Sequence, residues 1–446
     1  MPRPGRVLIT GGFGYDDIGD EAMPMAVVRN LRERLPDLEI IMLSPNVANT
    51  EAVHRERSIS DLSGYMYGWS SPVGTLIQRV LSKALPSTRI SSARSALRFS
   101  SFLACTVLAR AGMKVPMQRD ALAVLGAIRG ADVLFNVGGG NINSVIRTEL
   151  YQKSLLHLAA RLSGVPSILS GQTIGPFERY WHKLLVRFCL GGVDTVTLRD
   201  AGESRARLAE AGVHKPVMID TADDAITLAP TRSDRVGAYV DWARVTGAGS
   251  GLRPYIAALN ANGYVAAMGE ELDAAVGLLA DVADRLVVEA GAVVLLVPTD
   301  YGSSSDDRPL LRRVQKSMAH DAAALVVEES LDPSELRSLV GAADLALGSR
   351  YHFAVFAAAE GVPFVAFANT EYQRTKLRGL AALYGLPLCY LDQTVSDMTA
   401  DDLRDRLRVV MGAAADIRQT LHDMTPVLAK RSLVTIERAA ALMRGQ

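Results

Sequence analysis

Cysteine is scarce in this chain: Cys105, Cys189 and Cys389 stand far apart, with no CxxC spacing and no neighbouring Cys/His ligand set. That excludes a disulfide framework and a four-ligand zinc site and leaves buried free thiols. Net charge is missing as well. Lys plus Arg number 48 and Asp plus Glu number 48 among 446 residues, so no whole-molecule field draws the protein to nucleic acid, and an anion site has to be built locally. Long apolar runs are absent, because Arg or Asp cuts the most apolar stretches short of the roughly 18 uncharged residues that a spanning helix needs. A strand-like run, Arg6-Val7-Leu8-Ile9-Thr10, comes within a few residues of Met1. A secretory leader is not expected ahead of it, and the expected location is cytoplasmic.

Acid is missing locally too. Residues 62–119 hold no Asp or Glu but do hold Arg79, Lys83, Arg89, Arg94, Arg98, Arg110, Lys114 and Arg119, interleaved with apolar residues and Trp69. Two readings stand for this segment: interfacial helices attracted to anionic lipid on the inner face of the membrane, or a basic surface insertion beside a cleft or facing a partner subunit.

What is present is ample core material. Apolar residues make up 49% and charged residues 22%, and the length exceeds what one hydrophobic core usually supports, so two domains are expected. From Arg6 to Leu43 the order is a β-rich run, a Gly-rich turn, an apolar-periodic segment and a second run, Glu39 to Leu43, which is a βαβ unit. Asp132–Val137, Ser167–Ser170 and Thr195–Leu198 have the continuous apolar character of parallel strands buried on both faces. A second alternating series covers Tyr255–Asn260, Ala292–Pro298, Ala324–Val327, Asp344–Leu347 and Phe364–Phe367. The expected fold is therefore α/β with two Rossmann-like, doubly wound lobes facing across a cleft. Lobe one spans 1–229 and carries the basic insertion. Lobe two spans 230–398, the polar stretch Pro230–Pro254 marks the junction, and helices over 399–446 pack across both.

Chemistry-bearing residues gather at predicted strand ends, where open α/β sheets hold ligands. The turn Gly11-Gly12-Phe13-Gly14-Tyr15-Asp16-Asp17-Ile18-Gly19-Asp20-Glu21 is not GxGxxG, and its acids disfavour a phosphate directly on it. Asp20 either caps the following helix or meets a sugar-like ligand. Gly138-Gly139-Gly140-Asn141 strips side chains from the next strand end, and the third glycine exceeds what a turn needs, which suggests close approach of a ligand. Gln172, in Gly171-Gln172-Thr173-Ile174-Gly175-Pro176, is either aimed at the crevice or part of a structural turn. Arg199-Asp200 is a helix brace or an anion site. The most informative stretch is Gly348-Ser349-Arg350-Tyr351-His352, where a permanent cation, an imidazole and a helix start converge and each stabilises a bound anion. Lys376 either reaches the same cleft or sits on a solvated helix face.

In this order, Gly19-Asp20-Glu21, Gly138-Gly139-Gly140, Gly171 to Pro176, Arg199-Asp200 with Ser204 and Gly212, and Arg350-Tyr351-His352 with Gly361-Val362-Pro363 make the sequence resemble the polysaccharide pyruvyl transferase family. The resemblance implies a GT-B-like fold and transfer of a pyruvyl group from phosphoenolpyruvate to two hydroxyls of a sugar, in a glycan or glycolipid, as a cyclic ketal. It implies donor binding by Arg350, His352 and Arg199, with Lys376 added as a candidate. His352 and Asp20 are the catalytic candidates, Gly19, Gly138, Gly139, Gly140, Asn141 and Gln172 line the acceptor side, and neither a metal nor a cofactor is called for. The chain departs from the family pattern at Asp17, where Asn is common, at Asp223-Asp224-Ala225, where Asp-Pro-Ala is common, and at Tyr351, where Leu is commoner. A nucleotide-sugar glycosyltransferase and a catalytically silent sugar-binding subunit are the competing readings, and an oligomer is compatible with each.

Overall fold

A computed structural model describes residues 5–67, 87–200, 202–247, 253–262, 270–302, 305–368, 370–393 and 397–444. The part of the basic segment that contains Trp69, Arg79 and Lys83 lies outside the described residues.

The strands are β1 (Arg6–Thr10), β2 (Glu39–Ser44), β3 (Arg57–Ser60), β4 (Val133–Asn136), β5 (Gly139–Ile142), β6 (Ser167–Ile174), β7 (Thr195–Leu198) and β8 (Val217–Asp220) in the first lobe. They form one sheet in the order β3-β2-β1-β4-β6-β7-β8, with β5 paired beside β6. The second sheet holds β9 (Tyr255–Asn260), β10 (Ala292–Leu296), β11 (Ala324–Val326), β12 (Leu345–Gly348), β13 (Phe364–Phe367) and β14 (Tyr390–Leu391), in the order β11-β10-β9-β12-β13-β14. Pairing is parallel throughout, as with Ile9 beside Phe135 and Leu347 beside Leu259. The chain direction across each sheet reverses between its first strand and a later one, β1 against β4 and β9 against β12, and such reversal points open a crevice at the strands' carboxyl ends. Four strands escaped the sequence reading, β14 because it is only two residues long. β3 and β8 carry polar, half-exposed residues at sheet edges, and β5 is written in glycine and asparagine.

The first sheet ends at Asp220, and the polar stretch after Pro230 contains a helix, Asp234–Gly247, that packs on β10 of the second lobe. Helix Ala400–Gly412 lies against β13, helix Ala414–Ser432 touches the short turn Asp224–Thr227, and helix Val434–Met443 returns to β4, β6 and β7. The tail therefore spans both lobes. No helix among the described residues is long and apolar enough to cross a membrane.

The lobes are stapled at that turn. Arg337, on the second-lobe helix Pro333–Gly341, is 6% exposed. It donates through Nη1 to the carbonyls of Ala225, Ile226 (2.9 Å) and Leu228, while its Nε meets Glu360 at 2.6 Å. One guanidinium thus satisfies the carbonyls at the end of the turn and closes an ion pair inside its own lobe. Removing it strands buried acceptors and one carboxylate, so Arg337→Ala should lower stability by about 3 kcal/mol. A fall in the urea unfolding midpoint measures this, and an unchanged midpoint would show that the staple is energetically idle.

Candidate active site

Helix Ile18–Arg34 starts at the crevice because Asp17 caps it, its Oδ1 accepting from the N–H groups of Gly19 (2.9 Å) and Asp20 (3.2 Å). Opposite, β12 ends and helix Tyr351–Ala359 begins at Arg350, whose backbone N–H is held by Asn260 Oδ1 at 3.1 Å. The two helix starts touch. A Cβ on Gly19 would overlap the His352 imidazole, so glycine is required there to let the second lobe's histidine sit on the first lobe's backbone.

Arg350 is enclosed by acids. Its guanidinium meets Asp307 at 2.7 Å, Asp300 at 3.0 Å and, across the crevice, Asp17 at 3.4 Å. Burial and the neighbouring Asp17 raise the Asp300 carboxyl to about 6, against the pull of Arg350. Arg199, at the end of β7 and 2% exposed, pairs with Asp223 and donates through Nε to Thr173 at 3.1 Å. Burial alone would raise Asp223, but the Arg199 guanidinium and His352 outweigh it and hold that carboxyl well below the usual range. The other face of Arg199 lies 4.4 Å from the Tyr351 ring, so the aromatic residue that departs from the family pattern serves as a platform for a cation.

Lys376, on helix Glu371–Leu383, is the cation without an acid. Among the described residues its ammonium makes no ion pair or hydrogen bond, and it rests 4.2 Å from the Tyr372 ring and 5.8 Å from the Tyr351 ring. Burial, reinforced by Arg199 and Arg350, lowers it to about 8, while Asp20 and Asp17 pull the other way. Asp20 shows the opposite shift. Its side chain is 38% open to solvent yet walled in by protein, and burial together with Asp17 raises it to about 7. Arg199 and Arg350 both lie near enough to oppose the charge of Lys376, and His352 stands 3.8 Å from Asp20 through Nδ1 and 3.6 Å from Asp223 through Nε2.

Several polar atoms of this region are buried without a hydrogen bond among the described residues: the Tyr351 hydroxyl, Asn141 Nδ2 and His352 Nε2, the last standing 3.6 Å from the Asp223 carboxylate. Such atoms cost free energy unless something fills their hydrogen bonds. Asp17, Asp20 and His352 also bring ligand atoms within 4.8 Å of one another, a spacing able to hold a divalent ion.

The sequence candidates are thus placed unevenly. Gly19, Asp20, Arg199, Arg350, His352 and Lys376 come together. Gln172 does not reach the crevice: it is fully buried, and its amide donates to the carbonyls of Val137 and Ser170, both at 2.9 Å, fastening the ends of β4 and β6. The glycine run has protein neighbours where a ligand was expected. Gly138 is pressed under Met23 and Asp224, Gly139 lies under the Asn141 side chain, and Gly140 faces the Tyr372 hydroxyl, which donates to its carbonyl at 2.6 Å. Tyr372, Asp223, Asp300 and Asp307 went unnoticed as site residues. Asp223 stands three residues beyond β8 in the motif Asp223-Asp224-Ala225, the one signal that was available; the others lie on lobe-two segments whose approach to the first lobe leaves no local pattern.

Comparison with known proteins agrees with this geometry. The fold matches a putative UDP-N-acetylglucosamine 2-epimerase from Listeria monocytogenes with a TM-score of 0.58 at 9% identity, covering 99% of this chain and 98% of that one. Anabaena HepE, solved in complex with UDP-glucose, gives 0.53 at 11% identity over 99% and 100%. At such identities the likeness is one of fold, and it gives the two Rossmann-like lobes a GT-B-like arrangement. The amylovoran biosynthesis protein AmsJ of Erwinia amylovora is 21% identical over 387 residues, 86% of each chain. The profile of polysaccharide pyruvyl transferases matches residues 17–371, a span that contains Gly19, Asp20, Arg199, Arg350 and His352 and ends just before Tyr372 and Lys376: the chain belongs to the polysaccharide pyruvyl transferase family.

Proposed function

We propose that the enzyme transfers a pyruvyl group from phosphoenolpyruvate to two hydroxyls of a sugar, closing a cyclic ketal and releasing phosphate. The observation that carries this reading is the half-buried Lys376 ammonium, unpaired beside Arg199 and beside the orphan polar atoms of His352 and Tyr351. A cation kept between two aromatic rings without a carboxylate is stabilised by an anionic ligand. Phosphoenolpyruvate brings a phosphate and a carboxylate on three carbons, and Arg199 and Lys376 supply charge for both ends. Arg350 takes part by exchange: its contact with Asp17, the longest of its three, is the one an incoming carboxylate replaces.

In the reaction the methylene carbon gains a proton, a sugar hydroxyl attacks the central carbon, and phosphate leaves as the second hydroxyl attacks. His352 is assigned to the phosphate end and to proton donation. Asp20 is assigned as the base that takes the hydroxyl proton, because a carboxyl raised to about 7 accepts protons far better than an ordinary one. Asn141, whose amide nitrogen is buried without a hydrogen bond among the described residues, is assigned to the acceptor side.

A nucleotide-sugar donor is the second reading, favoured by the resemblance to UDP-bound HepE. Phosphate release that requires both phosphoenolpyruvate and a sugar acceptor, and persists in EDTA, is the expected result. UDP release from a UDP-sugar would select the second reading, thermal stabilisation by phosphoenolpyruvate without turnover on any acceptor would select a silent subunit, and loss in EDTA restored by a divalent ion would place a metal at Asp17, Asp20 and His352. With folding intact, His352→Ala should cost about 10²-fold or more in kcat, whereas Lys376→Ala should chiefly raise the donor KM, about tenfold or more, with Lys376→Arg partly restoring it. Near-normal kinetics in either alanine variant would defeat that residue's assignment. The pH profile follows from the two shifts: Asp20 must lose its proton to act, so rate climbs through about 7, and Lys376 must stay charged, so rate falls above about 8. An acidic limb that survives in Asp20→Asn would exclude Asp20 as the base.

A further inference from the structure

Helix Tyr180–Leu190 is apolar on two faces. His182, Val186, Cys189 and Leu190 are buried against the lobe. Tyr180 (76% exposed), Trp181 (44%), Leu184 (44%) and Phe188 (60%) follow the helical repeat along the opposite, solvent side. That stripe is covered only in part: Tyr151 stacks on Trp181 with ring centres 5.5 Å apart, and the Arg161 guanidinium lies over Phe188. Its flanks are basic: Arg179 and Arg187 are exposed and donate no side-chain hydrogen bonds among the described residues, and Lys183 is paired with Glu210 at 3.1 Å. Glu178 is the exposed acid at the helix start.

The stripe continues sideways. Arg161 donates to the Phe188 carbonyl at 3.0 Å with its guanidinium 5.3 Å from the Phe188 ring, and Arg110 donates to the Leu162 carbonyl at 2.5 Å. Helix Arg147–Ser163, to which Arg161 and Leu162 belong, lies between this helix and helix Ser87–Arg110, at whose carboxyl end Val107, Leu108 and Met113 are exposed next to Arg110 and Lys114.

We propose that this face docks the protein on an anionic lipid surface. Tyr and Trp with one wet and one apolar side settle at the headgroup level, and Arg and Lys stems lie along the apolar surface while their charges meet lipid phosphates. A second copy of the chain fits the face less well. Isologous pairing would set like-charged flanks against each other, and one helix about 16 Å long falls short of the roughly 800 Å² per partner of a stable dimer. The sequence pointed to residues 62–119 for lipid contact; Val107, Leu108, Arg110, Met113 and Lys114 of that segment join the proposed face, whose described aromatic anchors lie on the helix that follows β6. That helix begins at the same carboxyl edge of the sheet that carries Arg199, so docking holds the crevice close to the lipid. The proposal does not depend on the identity of the donor.

The test is co-flotation of the full chain with phosphatidylcholine vesicles, with or without phosphatidylglycerol, at low and high salt. Binding is expected only with phosphatidylglycerol and weakens with salt. The variant Trp181→Ser/Leu184→Ser/Phe188→Ser should reduce partitioning by about tenfold or more, and Lys114→Gln/Arg179→Gln/Arg187→Gln by about fivefold per residue, both with unchanged thermal midpoints. Brominated lipids should quench a fluorescence component that Trp181→Phe removes, which reads contact directly even if a triple variant folds poorly. Three results overturn the proposal: no flotation with anionic vesicles, flotation indifferent to both triple variants and to Trp181→Phe, or a dimer in sedimentation that the apolar triple variant abolishes.

Discussion

Arg350 is held where the two lobes meet, one contact to Asp17 of the first and two to Asp300 and Asp307 of the second. The rest of the site depends on that sharing. A buried guanidinium surrounded by carboxylates is stable only while each partner stays within reach, so the position of Arg350 sets how closely the two helix starts approach. The approach in turn seats His352 on Gly19 and brings Lys376 opposite Asp20. Asp17 has two jobs here, since one oxygen caps its helix while the other reaches across the crevice.

Charge is distributed unevenly across the crevice. Carboxylates gather around Arg350, while the Lys376 side, floored by Tyr351 and Tyr372, has cations and few acids. The asymmetry gives an anion one place to enter, and it accompanies the opposite shifts of Asp20 and Lys376: each is buried and each is opposed by like charge, while His352 and Lys376 relieve Asp20 only in part and no carboxylate makes an ion pair with Lys376 among the described residues. The tyrosine at position 351 belongs to this arrangement, because an aliphatic residue there would leave Arg199 without its aromatic floor.

The Asp223-Asp224 pair, whose second member departs from the family pattern, acquires physical roles in the same way. Asp223 neutralises Arg199, and Asp224, raised to about 7 by burial, ties the Ser170 hydroxyl (2.6 Å) to the Gly138 N–H (3.0 Å). The second carboxyl thus organises the glycine run from beneath instead of meeting a ligand.

Local pattern was enough for much of this protein. Apolar runs of strand length separated by helical repeats reveal both parallel sheets, because burial on both faces leaves no other composition, and strand-end positions alone mark Asp20, Arg199, Arg350 and His352 as candidates. Edge strands β3 and β8 were illegible for the converse reason, since they bury too little to leave a pattern, and the buried β5 was illegible because glycine and asparagine supply no apolar run. Only the tertiary structure decided which side chains share a pocket. Gln172 turned inward because two backbone carbonyls needed a donor, Gly140 made room for Tyr372 of the facing lobe, and Lys376 acquired importance because the folded chain supplied it with aromatic rings and no carboxylate. Partners distant in sequence are set by packing, and packing leaves no periodic trace in the chain.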